Sequence, residues 1–171
     1  LEERAFEAAQ ALFVYAPPLR QLIVAAKYRR MPGLFPALLR EGLKRRGLRP
    51  PRPEAVISWV PAEPLRRLSR GANSAALLAK QLADELDRPT AALLYRKPFS
   101  PSQQGADFIL RRRKARKAYG LLPGAARRLK GRPVFLVDDV LTTGATLEVC
   151  ATLLKKAGAA SVEVFCLARD P

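Results

Sequence analysis

The string VFLVDDVLTTGAT at residues 134–146 constrains the fold of this chain more than any other stretch. Four apolar residues run directly into two acids, and a Thr/Gly-rich turn follows before helical periodicity begins. Such an unbroken apolar run, ended by a turn, reads as a strand buried on both faces. Its carboxyl end delivers Asp138 and Asp139 to the edge where open α/β sheets bind ligands. In the turn, Thr142, Thr143, Gly144, Ala145 and Thr146 can aim successive backbone amides and three hydroxyls at one anion. Gly144 permits close approach of the backbone, and the amino terminus of the next helix adds partial positive charge. The two carboxylates suit hydrogen bonds to vicinal hydroxyls and can position a hard cation through water. A phosphate cradle beside a diol reader describes ribose 5-phosphate. No GK[ST] follows, so the loop is not a Walker sequence, and without G-x-G-x-x-G it is not a dinucleotide fingerprint.

The flanking pattern supports a parallel sheet. AVISWV from Ala55 reads as a strand, then a helix capped near Asn73 runs to Asp87, and AALLY at residues 91–95 reads as a strand again. PVFLVDD, the helix LEVCATLLKKAG closing on Gly158, and the strand SVEVFCLA repeat that order. The expected fold is α/β, a mainly parallel sheet covered on both faces. The first fifty residues read as helices. Pro17 and Pro18 open one with Leu19, Leu22, Ile23 and Ala26 at helical spacing, and a second with Leu34, Leu38, Leu39 and Leu43 stops at Gly47. LRPPRP at residues 48–53 cannot continue a helix, because proline lacks the amide donor. One domain is expected, with a helical hood at 1–50 and an α/β core at 55–171. Residues 96–132 exceed an ordinary connection and suggest a functional loop or lid.

Composition narrows the chemistry. Histidine is absent, which excludes Ser-His and Cys-His nucleophilic catalysis and histidine-ligated metals. Cys150 and Cys166 form no C-x-x-C pair and read as buried structural thiols. The net charge is +16, and residues 20–132 hold 27 basic and 7 acidic side chains, a balance of +20. A polyanion partner is implied, either a phosphorylated small molecule or a nucleic acid. RRRKARK at residues 111–117 has six basic residues in seven and would be basic on all sides of a helix. That suits phosphate contact more than membrane insertion. Arg111, Arg112, Arg113, Lys114, Arg116 and Lys117 are therefore the nucleic-acid candidates. No apolar run reaches the length of a membrane span, and LEERAFEAAQ at the amino end lacks a secretory pattern. A cytoplasmic location is expected.

The motif at 134–146 resembles the phosphoribosyl-binding signature of type I phosphoribosyltransferases. Further segments resemble the ComF competence family across nearly the whole chain. They are Tyr15 with Leu19, Arg20 and Ile23, KY at Lys27 and Tyr28, VPAEPLRRLSRGAN at residues 60–73, LLYRKPFSPSQ at residues 93–103 and the closing GAASVEVFCLAR. In that family a Cys-rich zinc ribbon usually precedes the helical part; the residues from Leu1 hold none, so either the chain is cut after it or this member lacks it. Ala72 and Ser74 also depart from the family's R-G-F-N-Q pattern.

The resemblance implies a type I phosphoribosyltransferase core that takes phosphoribosyl pyrophosphate or ribose 5-phosphate with magnesium and acts in DNA uptake and natural competence. Asp138 and Asp139 would be the catalytic pair and would hold magnesium indirectly, through water. A mobile loop at about 96–119 would close over the ligand, with Arg96, Lys97, Gln103 and Arg111 neutralising pyrophosphate and Arg70 adding to them. If the protein is an enzyme, it transfers the ribosyl group and releases pyrophosphate. Two other functions fit the same residues: a non-catalytic module that holds single-stranded DNA, and a nucleobase salvage phosphoribosyltransferase. Single-stranded DNA and DNA-uptake proteins are the expected macromolecular partners.

Overall fold

The computed structural model describes residues 4–29, 31–62, 72–98 and 117–171. In chain order its elements are β1 (Ala8–Val14), α1 (Leu19–Tyr28), α2 (Leu34–Arg46), β2 (Val56–Trp59), α3 (Ser74–Leu86), β3 (Leu94–Arg96), β4 (Tyr119–Leu121), α4 (Ala125–Leu129), β5 (Val134–Leu141), α5 (Ala145–Lys156) and β6 (Val162–Arg169). The main sheet runs β1-β6-β5-β2 with every pair parallel, as the apolar runs predict. β3 and β4 form a separate antiparallel pair.

Because strand side chains alternate, β5 feeds two cores. Val134 and Leu136 point into one, with Leu129, Leu147, Cys150 and Leu154. Phe135 and Val137 point into the other, with Ile23, Phe35, Leu39, Leu78 and Leu82. The first face is thus covered by α4, α5 and the β3–β4 pair, and the second by α1, α2 and α3. Both thiols are buried and free, as expected. α2 comes unusually close to the sheet: a Cβ added at Gly42 would lie 2.7 Å from Leu12 Cδ1 and 2.8 Å from Phe13 Cε2. That contact holds the hood helices over the sheet.

Two expectations change. Residues 1–50 are not helical throughout, because Ala8–Val14 is a strand lying parallel to β6. AAQALFV has a single β-branched residue, Val14, and its three alanines favour helix in isolation; the open edge of β6 decides the outcome. The Gln10 amide then exchanges two 3.0 Å hydrogen bonds with the backbone of Arg49, tying the proline-rich segment to β1. The second change concerns AALLY. Its start makes a single parallel bridge at Thr90 on Ile57 of β2, and from Leu94 the backbone takes β4 as its partner. Pro89 contributes only its carbonyl, accepting from the Ile57 amide, so the ladder against β2 stays short.

Candidate functional site

The strand order creates a crevice at the end of β5. From β2 the chain crosses by α3 on one face to the sheet's outer edge at Thr90. From β5 it crosses by α5 on the opposite face to β6. The winding therefore reverses between β2 and β5, which is the switch point where such sheets bind ligands. β2 ends at Trp59, opposite Val137, so Asp138 and Asp139 project beyond it.

Their side chains follow the alternation of the strand. Asp139 continues the Phe135 and Val137 face and meets the hood: Lys27 Nζ from the last turn of α1 lies 2.8 Å from Asp139 Oδ2. Ser74 Oγ, at the first residue of α3, donates to the same oxygen. Ser74 is placed there by Asn73, whose side chain caps α3 by accepting from the amides of Ala75 and Ala76. Lys27 and Ser74 also border a small pocket of about 30 Å³ whose other walls include Ala26, Phe35, Ala72 and Leu77.

Asp138 faces the other way. It lies opposite Cys166 in the register with β6, and its Oδ1 accepts the Asp139 amide at 2.8 Å. Burial, followed by the Asp139 charge, pushes its carboxyl up to about 7, against the pull of that backbone bond and of Lys27. Burial and the Asp138 charge likewise push the Cys150 and Cys166 thiols well up. Tyr119, at the start of β4, closes this side. Burial raises its phenol, with added repulsion from Cys150 and Asp138, while Arg96 and a hydrogen bond with the Thr146 side chain pull it down.

The phosphate loop follows on the Asp138 side, where α5 packs. Gly144 is the amino cap of α5, with φ +77°, a left-handed conformation that glycine adopts without strain. Thr142 and Thr143 are exposed, and the Ala145 side chain is buried, which leaves its backbone amide as its polar contribution. Thr143 Oγ1 accepts weakly from that amide at 3.5 Å. The remaining amides of the first turn have no partner within the helix, as at any helix start. Thr146, the third hydroxyl expected on the anion, is half-buried at the start of α5.

The loop expected at about 96–119 begins and ends on the β3–β4 pair, where the Lys97 amide donates to Ala118 O at 2.8 Å. Arg96 turns inward; its Nη1 donates to the Tyr119 hydroxyl at 3.3 Å, its guanidinium lies 5.4 Å from that ring's centre, and its buried Nε has no partner among the described residues. Lys97 and Lys117 are exposed. Arg70, Gln103, Arg111, Arg112, Arg113, Lys114 and Arg116 lie outside the described residues.

The profile of the phosphoribosyl transferase domain matches residues 72–171. This chain belongs to that family. DNA utilization protein YhgH of Escherichia coli O6:H1 is 36% identical over 162 residues, spanning 91% of this chain and 69% of that protein. Competence protein F of Haemophilus influenzae is 38% identical over 118 residues, 68% of this chain and 51% of that one. Within the family it is therefore of the ComF type. Among solved structures, a purine phosphoribosyltransferase from Pyrococcus horikoshii aligns over 85% of this chain and 76% of its own, with 23% identity and a TM-score of 0.44. The matched span covers β5, its loop and α5, but not the helix carrying Lys27. Lys27, Ser74 and Tyr119 are site-lining residues to which sequence reasoning gave no role. The signal for Lys27 was its position one turn after Ile23, a charge on the buried stripe of α1.

Proposed function

We propose that this chain binds phosphoribosyl pyrophosphate, or ribose 5-phosphate, together with magnesium at residues 138–146, and that it acts in the cytoplasm in DNA uptake during natural competence. The observation that carries this reading is the continuity of one stretch: a buried strand ends in Asp138 and Asp139, and a left-handed glycine then starts a helix whose first amides face the same crevice. Those amides, with the hydroxyls of Thr142 and Thr143, take the 5-phosphate. The acids accept from the sugar hydroxyls and hold magnesium through water, a role that fits a carboxyl pushed up by burial and by its neighbour, because a cation relieves that repulsion. Magnesium, when bound, supplies charge against the pyrophosphate oxygens. Arg96 and Lys97, at the foot of the 97–118 excursion, add cationic donors on the pyrophosphate side, with Arg70, Gln103 and Arg111 completing them. The names of the curated relatives, which refer to DNA utilization and competence, support the cellular role. Among the described residues no helix is long and apolar enough to cross a membrane.

Calorimetry with phosphoribosyl pyrophosphate and magnesium tests the reading. Wild type should bind, and Asp138→Asn combined with Asp139→Asn should bind at least about a hundredfold more weakly while still melting cooperatively, since charge-assisted hydrogen bonds and a cation site are lost together. Wild-type affinity in the double variant refutes the assignment.

The +20 balance of residues 20–132 supports a second role in holding single-stranded DNA. Its affinity should then fall steeply with salt, and alanine at Arg111, Arg112, Arg113 and Lys114 should flatten the log-log slope by about two to three units. A wild-type protein that binds no single-stranded DNA at low salt excludes this role.

A further inference from the structure

We propose that Lys27, assisted by Ser74, is the positioning residue that makes Asp139 a reader of ribosyl hydroxyls, so that the site separates ribosyl from deoxyribosyl 5-phosphates. This deepens the phosphoribosyl reading above and rests on it. Terminal torsions of aspartate are broad, so a carboxylate at a strand end has no intrinsic orientation. Here two donors from different elements converge on one oxygen. Lys27 Nζ reaches Oδ2 at 2.8 Å from α1, and Ser74 Oγ reaches the same atom from α3. Their convergence fixes the plane of the group and leaves Oδ1 for a ligand hydroxyl. The pair is largely removed from solvent, with side-chain exposures of 21% for Lys27 and 14% for Asp139. Hydrogen bonds accepted by a charged oxygen are about twice as strong as neutral ones.

A site built to receive a hydroxyl rejects the analogue that lacks it, because its own polar group is left unpaired. Discrimination therefore depends on Asp139 being held, and its holders sit on the hood side of the sheet. A purely structural clamp would predict something different: losing Lys27 would loosen the hood and weaken all ligands alike.

The experiment compares ribose 5-phosphate with its 2-deoxy and 3-deoxy analogues by calorimetry, with magnesium present, on wild type, Lys27→Met and Ser74→Ala. Methionine keeps the length and apolar stem of the side chain without its charge. Wild type should prefer the ribosyl ligand over each analogue by about tenfold or more, the range of one hydrogen bond to a charged group. Lys27→Met should cut the preference over at least one analogue to about threefold or less while leaving affinity for inorganic phosphate unchanged, as loss of a charged positioning bond predicts. Ser74→Ala should lower the same ratio by a smaller factor, and it carries the test alone if the methionine variant does not fold. Folded variants that keep the wild-type ratio overturn the proposal, as does a uniform loss of affinity for all three sugars and phosphate. Equal wild-type binding of all three sugars overturns this inference only, whereas no binding of any of them defeats the phosphoribosyl reading itself.

Discussion

Asp138 and Asp139 are adjacent in sequence, yet each is governed by a different half of the molecule. Asp139 faces the hood, where a cation and a hydroxyl have been built around it. Asp138 faces the α5 side, where its neighbours are two buried thiols and a buried phenol, and it accepts from the next residue's amide. One acid is pre-positioned and compensated; the other is kept in tension, with its proton affinity raised. The difference shows how a single strand end can be prepared for two tasks. A compensated carboxylate presents fixed geometry to a ligand, whereas an uncompensated one gains most when a cation or a donor arrives. The phosphate loop belongs to the second side, since α5 and Tyr119 pack there.

The strongest way to break the comparison is to damage one side and watch the other. Gly144→Val acts only on the loop. A Cβ there would meet only Leu141 Cδ1, at 3.5 Å, so crowding within the protein is slight. The cost is the left-handed backbone, about 1–2 kcal/mol for a residue with a side chain. The added bulk also stands where a phosphate must approach the amides. Binding of phosphoribosyl pyrophosphate should drop below calorimetric detection, while a structure of the variant should keep the Lys27–Asp139 pair. Retained affinity would move the 5-phosphate away from this loop.

The two acids should respond with opposite signs when neutralised singly. Burial and the Asp139 charge push the folded-state carboxyl of Asp138 up to about 7, well above the ordinary aspartate range. The folded protein thus binds the proton more tightly than the unfolded chain. The resulting stability is fully present below the unfolded value and is lost as pH rises through 7. In ligand-free protein, Asp138→Asn should therefore melt like wild type near pH 4 and be more stable by about 1–2 kcal/mol at pH 8, a discounted fraction of the linkage energy. Asn can still accept from the Asp139 amide, so that bond is not the variable. Asp139→Asn leaves Lys27 without its partner and should be less stable at pH 8 by about 1 kcal/mol, as expected for a partly buried pair. Thermal melts of the two variants at pH 4 and pH 8 decide it. Equal shifts of one sign would show that the two faces do not treat the acids differently.

Much of this site could be read from the chain because it is local. Strand β5, the turn at Thr142–Gly144 and the start of α5 are contiguous, and their chemistry follows from residue order. The Asn73 cap and the stop at Gly47 were legible for the same reason. What escaped depends on contacts distant in sequence. β1 forms because β6 offers an edge, although AAQALFV itself favours helix. Lys27 reaches Asp139 only after α1 has packed on the sheet, and a charged residue among Ile23 and Ala26 does not name its partner. The opposed orientation of the acids follows from strand alternation, but which face receives the cation required the fold.

The smallest expected effect lies at the joint between the lid-bearing strands and the phosphate loop. Tyr119 is 5% exposed, and its hydroxyl accepts from Arg96 of β3 on the face of the sheet that α5 covers. Tyr119→Phe retains the ring under the guanidinium and removes only that junction. One hydrogen bond of this kind is worth about 0.5–1.5 kcal/mol, and the guanidinium keeps its attraction to the aromatic face. Stability should fall by no more than that range. The ligand effect discriminates further. If the junction merely fills space, phosphoribosyl pyrophosphate affinity stays at the wild-type value. If it holds the start of α5 in register with the β3–β4 pair, affinity for both ribose 5-phosphate and inorganic phosphate should fall by about two- to tenfold, the equivalent of that one bond. The preference for ribosyl over deoxyribosyl ligands should not move, because Asp139 and Lys27 lie across the sheet. A change in that preference in Tyr119→Phe would show that the two faces are coupled through β5 and not independent.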